Sequence, residues 1–344
     1  MTDTRYSRQT LFTPIGLTGQ QLMAAAHVAV VGCGATGAAT IALLARAGVG
    51  HLTLIDRDFV EESNLQRQLL YTEADAADAL PKAEAARRHI ALINSTVQVT
   101  AHIADLVPAN IHALLAPATL ILDATDNFET RYLINDYAVE QQRPWIYAAA
   151  ISATAATMTI LPGQTACLSC IFPKPPSGPI ETCDTAGILS TAVTLAASLQ
   201  VNEALKILTN NRSSLRPTLI SFDLWSTTSD LSRSEINTST SNPTCEVCHH
   251  RRFTHLAGEA RPHITLCGRN SVQIHEHNRP INFTHLAARL APHPEITGLR
   301  HNDLVLRFTR AAHTLTLFAD GRAIINGTTD PTIARTLYAR YIGS

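Results

Sequence analysis

Residues 28–37 read Val-Ala-Val-Val-Gly-Cys-Gly-Ala-Thr-Gly, an apolar run that leads directly into three glycines. The apolar run predicts a buried parallel strand, and a helical pattern follows to about Ala47. A second predicted strand, over residues 51–55, ends at Asp56. Within such a βαβ unit the glycine pattern lets the backbone approach phosphates, while the acid accepts hydrogen bonds from ribose hydroxyls. The sequence therefore predicts a nucleotide site at Gly32, Gly34, Gly37 and Asp56.

The remainder of the first half keeps alternating between predicted strands and helices, up to about residue 141. This alternation indicates an α/β fold with a doubly wound, mostly parallel, Rossmann-like sheet. Beyond it we expect a strand over residues 151–161 and a long apolar helix over residues 188–208. The segment 226–243 is rich in Ser, Thr and Asn, and it is predicted to be irregular.

A change of character near residue 262 predicts a second domain. Strand patterns over residues 304–308 and 314–318 precede a last helix that Asp330 is expected to cap. We therefore expect one large domain, a linker and a small C-terminal α/β domain, over residues 1–250, 251–261 and 262–344.

Composition excludes several classes of function. Of the 344 residues 45% are hydrophobic and 16% charged, which is typical of a folded protein and not of a disordered one. The formal net charge of −1 supplies no field that would attract nucleic acid. No apolar run is long enough to span a membrane, and the N-terminal residues lack the apolar core of a signal peptide. We expect a cytoplasmic protein with no membrane and no nucleic-acid partner.

Cations accumulate around the predicted nucleotide site. Arg67 lies in the run Ser-Asn-Leu-Gln-Arg-Gln (63–68), Lys82 lies in the first turn of a predicted helix, and Arg8 lies near the N-terminus. Any one of them alone would be interpreted as a solvated side chain. Hydride transfer does not need them, whereas cleavage of a nucleoside triphosphate does, because negative charge grows on the leaving pyrophosphate. Asp126 follows a predicted strand and suits Mg²⁺, which takes one or two carboxylates.

Seven cysteines include two Cys-x-x-Cys pairs, at positions 167 and 170 and at positions 245 and 248. Two such pairs supply the four thiolates of a tetrahedral structural Zn²⁺ site, so the predicted ligands are Cys167, Cys170, Cys245 and Cys248. A redox pair is the alternative, but neither pair stands at the strand-to-helix position that is typical of such motifs. Cys33 and Cys267 are interpreted as buried core residues.

Cys183 needs a separate interpretation. It precedes the long predicted helix, whose N-terminus would favour a thiolate. The alternatives are a reactive nucleophile and a plain surface cysteine.

Taken in order, these motifs resemble the ThiF/MoeB/HesA family, the bacterial relatives of ubiquitin-activating enzymes. The resemblance extends over roughly residues 5–250. It rests on Arg-Tyr-x-Arg-Gln (5–9), the glycine pattern (32–37), Leu-Ile-Asp-Arg-Asp (54–58), the run 63–68, Pro-Lys (81–82), Asp-Ala-Thr-Asp-Asn (123–127) and the two cysteine pairs.

The resemblance implies an ATP-dependent adenylyltransferase that activates the C-terminal glycine of a ubiquitin-like sulfur carrier ending in Gly-Gly and releases pyrophosphate. A ThiS-like carrier of thiamine biosynthesis is preferred, with a MoaD-like carrier of molybdopterin biosynthesis second. The resemblance also implies a homodimer in which Arg8 reaches the partner's ATP site, and a sulfur donor protein as a further partner.

The resemblance assigns roles to individual residues of this sequence. Asp56 and Asp58 would hold the ribose, and Asp126 would hold Mg²⁺. Cys183 matches the segment that carries the conjugating cysteine of ThiF-like members. The residues expected to bind the triphosphate or to complete the nucleotide site are Asn64, Arg67, Gln68, Lys82 and Asn127.

Two other functions are compatible with parts of the pattern. An NAD-dependent oxidoreductase would use the glycine fingerprint, although the cations and Asp126 argue against it. A zinc-stabilised binding module with an inactive nucleotide site is disfavoured because the phosphate-handling residues are present. For residues 262–344, partner docking and structural support are both open.

Overall fold

The computed structural model describes residues 4–174, 186–225, 232–259, 271–274, 281–318 and 321–342. The chain forms two compact units. The N-terminal unit comprises residues 1–73 and 82–260, and the C-terminal unit comprises residues 74–81 and 261–344.

The N-terminal unit is built on an eight-stranded sheet with the order β3-β2-β1-β4-β5-β6-β7-β8. The five strands from β3 to β5 pair in parallel and the remaining three antiparallel, which confirms the mostly parallel, Rossmann-like sheet. The strands are β1 (His27–Val31), β2 (His51–Ile55), β3 (Gln98–His102), β4 (Leu120–Asp123), β5 (Trp145–Ile151), β6 (Thr154–Ile160), β7 (Thr218–Asp223) and β8 (Ser232–Asn237).

Helices cover this sheet. They are α1 (Ser7–Thr10), α2 (Gly16–Ala25), α3 (Ala35–Ala47), α5 (Lys82–Ile93), α6 (Ile111–Leu115), α7 (Phe128–Glu140), α8 (Leu168–Ile171) and α9 (Ser190–Leu208). Helix α4 (Glu73–Ala77) lies, except for Glu73, in the C-terminal unit. Helix α3 packs against α5 and α9, while α6 and α7 join Ala29 and Val31 of β1 in a core cluster. Among the described residues, no helix is both long and apolar enough to cross a membrane.

A buried glutamine anchors α9 to the end of the sheet where the parallel strands finish. Nε2 of Gln200 donates to the carbonyl oxygens of Asp123 (2.7 Å) and Ile146 (2.9 Å), and its Oε1 accepts from the Thr40 hydroxyl (2.9 Å). A buried amide is stable only when its donors and acceptor are satisfied, as they are here. Gln200 therefore fixes α9, α3, β4 and β5 relative to one another.

One prediction for the second half of the sheet is confirmed and one is wrong. The strand expected over residues 151–161 is present as β6, which forms a hairpin with β5, and Ser152 lies in the turn at φ +50°. The prediction of irregular structure over 226–243 is wrong for β8, which pairs along its whole length with β7. Strand β8 ends the sheet, and its side chains from Arg233 to Asn237 are exposed, so its polar sequence carries no hydrophobic period.

The C-terminal unit has its own five-stranded antiparallel sheet, in the order β10-β11-β12-β13-β9. Apolar residues of the sheet and of both helices form one core cluster. Residues 74–81 belong to this unit, where Arg300 and Asn302 donate to the carbonyl oxygens of Ala77 and Asp78. The elements are β9 (Ser271–Ile274), α10 (Phe283–Leu290), β10 (Ile296–His301), β11 (Val305–Arg310), β12 (His313–Phe318), β13 (Ala323–Asn326) and α11 (Pro331–Tyr341).

Candidate nucleotide site and cysteine cluster

The candidate nucleotide site lies at the carboxyl ends of the parallel strands. Gly32 follows β1, Asp56 follows β2, and Asp123 ends β4. These three strands are adjacent in the sheet, so the segments that follow them lie side by side. Ligands of doubly wound sheets bind at this edge, where the strand order reverses.

Two of the three glycines in the nucleotide loop (residues 32–37) are required by packing. Gly32 has φ +91°, and a Cβ on it would lie 2.7 Å from the carbonyl oxygen of Ala124. A Cβ on Gly37 would lie 2.0 Å from the carbonyl oxygen of Gly32. A Cβ on Gly34 would have no heavy atom within 4 Å, so this side of the loop is open. The loop is thus held against the sheet by its ends, and its middle can receive a phosphate.

Asp56 is fixed beside this loop by two backbone donors. Its Oδ2 accepts from the N–H of Cys33 at 2.6 Å, and its Oδ1 accepts from the N–H of Asp58 at 2.7 Å. Burial raises the pKa of Asp56, an effect that the nearby Lys82 opposes. Each carboxylate oxygen accepts more than one hydrogen bond, so ribose hydroxyls can still bind.

Lys82 is a buried cation at the first position of α5, with only 2% of its surface exposed. Its Nζ lies 3.3 Å from Oδ2 of Asp58, and its backbone N–H donates to the carbonyl oxygen of Asp58. The structure therefore brings Asp56, Asp58 and Lys82 together at the nucleotide loop. A buried ammonium needs a negative partner. Asp58 supplies one for Lys82, and an anionic ligand at the loop would supply another.

The 63–68 run folds into a short turn. Asn64 is buried and its Oδ1 accepts from the Glu61 N–H, while Arg67 donates to the Ser63 carbonyl oxygen. Gln68 is 3% exposed, and its Oε1 has no hydrogen-bond partner among the described residues. A carbonyl oxygen accepts hydrogen bonds, so Oε1 of Gln68 suits a ribose hydroxyl, an adenine amino group or a metal-bound water, whereas a phosphate oxygen would need the Nε2 donors of the same amide. Roles of all three side chains in nucleotide binding remain predictions.

The segment after β4 contains the predicted magnesium ligand. Asp126 is exposed, as a carboxylate that binds Mg²⁺ together with substrate phosphates should be. Asn127 caps α7, because its Oδ1 accepts from the Thr130 N–H at 2.8 Å. This contact accounts for Asn127 structurally, and a direct contact with nucleotide stays a prediction.

Arg131 supports this segment and was missed by the sequence analysis. It is buried, donates to the Thr125 carbonyl oxygen at 2.6 Å and lies over the rings of Phe128 and Tyr147. It also pairs with Asp123. The available signal was an aspartate ending the apolar run Leu-Ile-Leu (120–122), since a buried acid needs a cation.

Arg8 lies apart from these contacts. It is an exposed residue of α1, and among the described residues it makes no hydrogen bond or ion pair. No contact in the described part of the chain thus joins it to the nucleotide site.

The four cysteines of the two pairs converge in the N-terminal unit. Their Sγ atoms all lie within 4.8 Å of one another, and the four could hold a metal ion. The contacts are 3.8 Å for Cys167 to Cys170, 3.6 Å for Cys167 to Cys245 and 3.3 Å for Cys170 to Cys248. Four sulfurs at about 2.3 Å from one zinc ion would be separated by roughly 3.8 Å.

Of the three other cysteines the structure describes only Cys33, which lies outside this cluster. Cys33 is fully buried, as predicted. Cys183 and Cys267 lie outside the described residues, so their predicted roles stay predictions.

Comparisons with known proteins identify the family and the relatives that this chain resembles. Residues 6–247 match the model of the ThiF family. The chain is 42% identical over 349 aligned residues to the sulfur carrier protein ThiS adenylyltransferase of Bacillus subtilis (strain 168), covering 98% of this chain and 99% of that protein. It is 36% identical over 250 residues to the sulfur carrier protein adenylyltransferase of Thermus thermophilus, covering 71% and 90%.

The fold resembles a crystal structure of E. coli MccB. The TM-score is 0.62 at 24% identity, covering 72% of each chain. At that identity the likeness concerns the fold alone. The family match and the identity to the two adenylyltransferases show that this chain belongs to the ThiF family.

Proposed function

We propose that this protein is an ATP-dependent adenylyltransferase acting on a ubiquitin-like sulfur carrier, with a ThiS-like carrier as its first substrate. The convergence of Asp56, Asp58 and Lys82 on the nucleotide loop is the observation that carries the proposal. The names of the Bacillus and Thermus relatives support it. The reaction joins the terminal glycine carboxylate of the carrier to the α-phosphate of ATP and releases pyrophosphate.

The site residues act by positioning ATP and by neutralising the charge of its phosphates. Asp56 accepts from the ribose hydroxyls, and Asp58 orients Lys82. Lys82 and Arg67 neutralise the charge that grows on the leaving pyrophosphate. Because attack by a carboxylate needs no proton removal, positioning and charge neutralisation account for catalysis.

Mg²⁺ is the ion that the site requires. An exposed carboxylate beside a phosphate site, here Asp126, matches the oxygen ligands that Mg²⁺ prefers. Bound there, the ion would neutralise phosphate charge in the transition state.

Zn²⁺ fits the cysteine cluster. Four sulfur ligands would leave no open coordination position, so a zinc ion held here would be structural and not catalytic. It would join α8 to the segment that contains Cys245 and Cys248. The N–H of Asn242 donates to Sγ of Cys170 at 3.3 Å, which favours the thiolate that a metal needs.

In a homodimer, Arg8 would contribute to the nucleotide site of the partner. Close to it in sequence, Leu11, Phe12 and Leu17 expose 72%, 61% and 61% of their surface. Large apolar side chains clustered at a surface favour burial against a partner. We infer that a second copy covers them and that Arg8 reaches the partner's ATP site, where its charge meets the triphosphate.

Cys183 would act after adenylation. Its thiolate would displace AMP from the carrier carbonyl and form a thioester. A sulfur nucleophile held by the donor protein would then attack that carbonyl and displace the Cys183 thiolate. The Cys183→Ala variant should adenylate the carrier at the wild-type rate and fail in sulfur transfer. Full sulfur transfer by this variant would remove the role.

Exchange of pyrophosphate into ATP tests the function. Purified ThiS-like and MoaD-like carriers ending in Gly-Gly are compared with the same carriers lacking the final glycine. We expect exchange only with an intact carrier, and the faster of the two identifies the substrate. Exchange with neither would overturn the proposal, and fluorescence-detected binding of NADH would favour the oxidoreductase alternative.

A further inference from the structure

Tyr71 contacts three parts of the nucleotide site, which are the 63–68 run, the nucleotide loop and Lys82. It follows the 63–68 run, and its backbone N–H donates to the carbonyl oxygen of Gln68. Its hydroxyl lies 2.6 Å from the carbonyl oxygen of Cys33 in the nucleotide loop and 3.2 Å from that of Lys82. The side chain is 7% exposed, so water does not replace these contacts.

The phenolic hydroxyl has one proton to donate, and both neighbours are carbonyl acceptors. The shorter distance assigns that proton chiefly to Cys33. A buried carbonyl oxygen that loses its donor costs free energy, so this contact holds the Cys33 carbonyl towards Tyr71.

The orientation of this one carbonyl determines where the next amide points. The peptide between Cys33 and Gly34 is trans, so the N–H of Gly34 points away from the Cys33 carbonyl and from Tyr71. The Gly34 N–H donates to no atom of the described residues. It stands at the N-terminus of α3, on the open side of the loop.

The opposite side of the same residue is fixed as well. The N–H of Cys33 donates to Asp56, so a carboxylate and a phenol hold the two peptide groups that flank Cys33. Both contacts are made within the chain, so they hold the loop in this shape without a contribution from the ligand. Pre-organised donors bind more tightly because less ordering remains to be done on binding.

We propose that Tyr71 is a positioning residue for ATP, which aims the Gly34 amide at a phosphate group by holding the Cys33 carbonyl. The proposal rests on the proposed function of this site. It predicts that the hydroxyl matters for nucleotide affinity, and that the chemical step depends on it little.

Tyr71→Phe removes the hydroxyl and keeps the ring. Tyr132→Phe is the matched control, since Tyr132 is 2% exposed and its hydroxyl donates to the Phe172 carbonyl oxygen at 2.8 Å. The dissociation constant of a non-hydrolysable ATP analogue is measured by calorimetry, and KM for ATP and kcat by the exchange assay. Both variants are compared well below their unfolding temperatures.

For Tyr71→Phe we expect a weakening of analogue binding and a rise in KM for ATP of about tenfold, which is the value of one hydrogen bond. The kcat should stay within about twofold, because the contact is equally present in ground and transition states. Tyr132→Phe should lose comparable stability with unchanged nucleotide affinity.

Equal affinity of wild type and Tyr71→Phe for the analogue would overturn the role of Tyr71. So would an equal loss of affinity in Tyr132→Phe, because this would trace the effect to general destabilisation. Failure of the wild-type protein to bind the analogue would instead contradict the proposed function. The two failures are therefore distinguishable.

Discussion

Nε of Arg131 donates to Oδ2 of Asp123 over 3.2 Å, and both side chains are buried. Burial raises the pKa of Asp123, and the Arg131 charge opposes that shift. The same guanidinium donates to the Thr125 carbonyl oxygen. The Arg131 guanidinium therefore joins the end of β4 to the segment that contains the predicted magnesium ligand.

Removing the cation of this pair should destabilise the protein strongly. Arg131→Met would leave Asp123 buried without a partner, and we expect a loss of about 3–5 kcal/mol in the free energy of unfolding. Urea denaturation measures the loss. Arg87→Met is the control, because Arg87 pairs with Glu84 on the surface and should lose less than about 1 kcal/mol. Equal losses would contradict the interpretation of the Arg131 pair.

Asp126→Asn should impair catalysis and spare the fold. The residue is exposed, so unfolding should change by less than about 0.5 kcal/mol. Pyrophosphate exchange should fall at least about 100-fold, and the remaining activity should need more Mg²⁺. Asp303→Asn changes another exposed carboxylate and should leave exchange unchanged. An unaltered Mg²⁺ requirement in Asp126→Asn would argue against magnesium binding at this position.

The cysteine cluster should bind one zinc ion per chain. Cys245→Ser should abolish zinc binding, as measured by elemental analysis, and lower the melting temperature, because metal binding and folding are coupled. Cys33→Ser changes a buried thiol outside the cluster and should retain the metal. Retention of zinc by Cys245→Ser would refute this assignment.

Arg8 should act across the dimer. Arg8→Ala and Lys82→Ala should each be inactive, whereas a mixture that exchanges subunits forms hybrid dimers with one site free of both changes. Such a mixture should recover about a quarter of the wild-type activity, by random pairing in a two-fold dimer. Pyrophosphate exchange after mixing measures the recovery. No recovery, with subunit exchange shown by mass spectrometry, would mean that Arg8 does not act in the partner.

A histidine pair should make a contribution to stability that decreases below neutral pH. The rings of His27 and His51 stack with centroids 3.8 Å apart, and burial, followed by the nearby His51, lowers the pKa of His27. His27 therefore binds a proton more readily in the unfolded chain than in the folded one, so its contribution to the free energy of unfolding decreases as pH falls below about 6.5.

Substituting His27 tests this pH dependence. His27→Gln should flatten the decrease, measured by denaturation between pH 7 and pH 5. His285→Gln, at an exposed position, should leave the decrease unchanged. A wild-type pH dependence in His27→Gln would exclude the pair as its source.

The elements predicted well were those with a strong local signal. Strands β1 and β4 are buried along their length, so they stand out as continuous apolar runs. Strand β8 has no such signal, since its exposed polar residues are selected only by backbone pairing with β7. Gln200 and Arg131 were missed for a related reason. Each is a polar residue inside a helix, and its role depends on hydrogen-bond and ion-pair partners that lie outside that helix.

Sequence alone determined the family, the nucleotide loop and the four cysteines, because glycine conformations and metal-ligand spacings are local properties of the chain. Only the tertiary structure decided that Asp58 faces Lys82, that Arg131 neutralises Asp123 and that Tyr71 reaches Cys33. These contacts join residues from different turns and elements. Their energies arise from burial and from hydrogen-bond partners, which exist only once the sheet has brought its strand ends together.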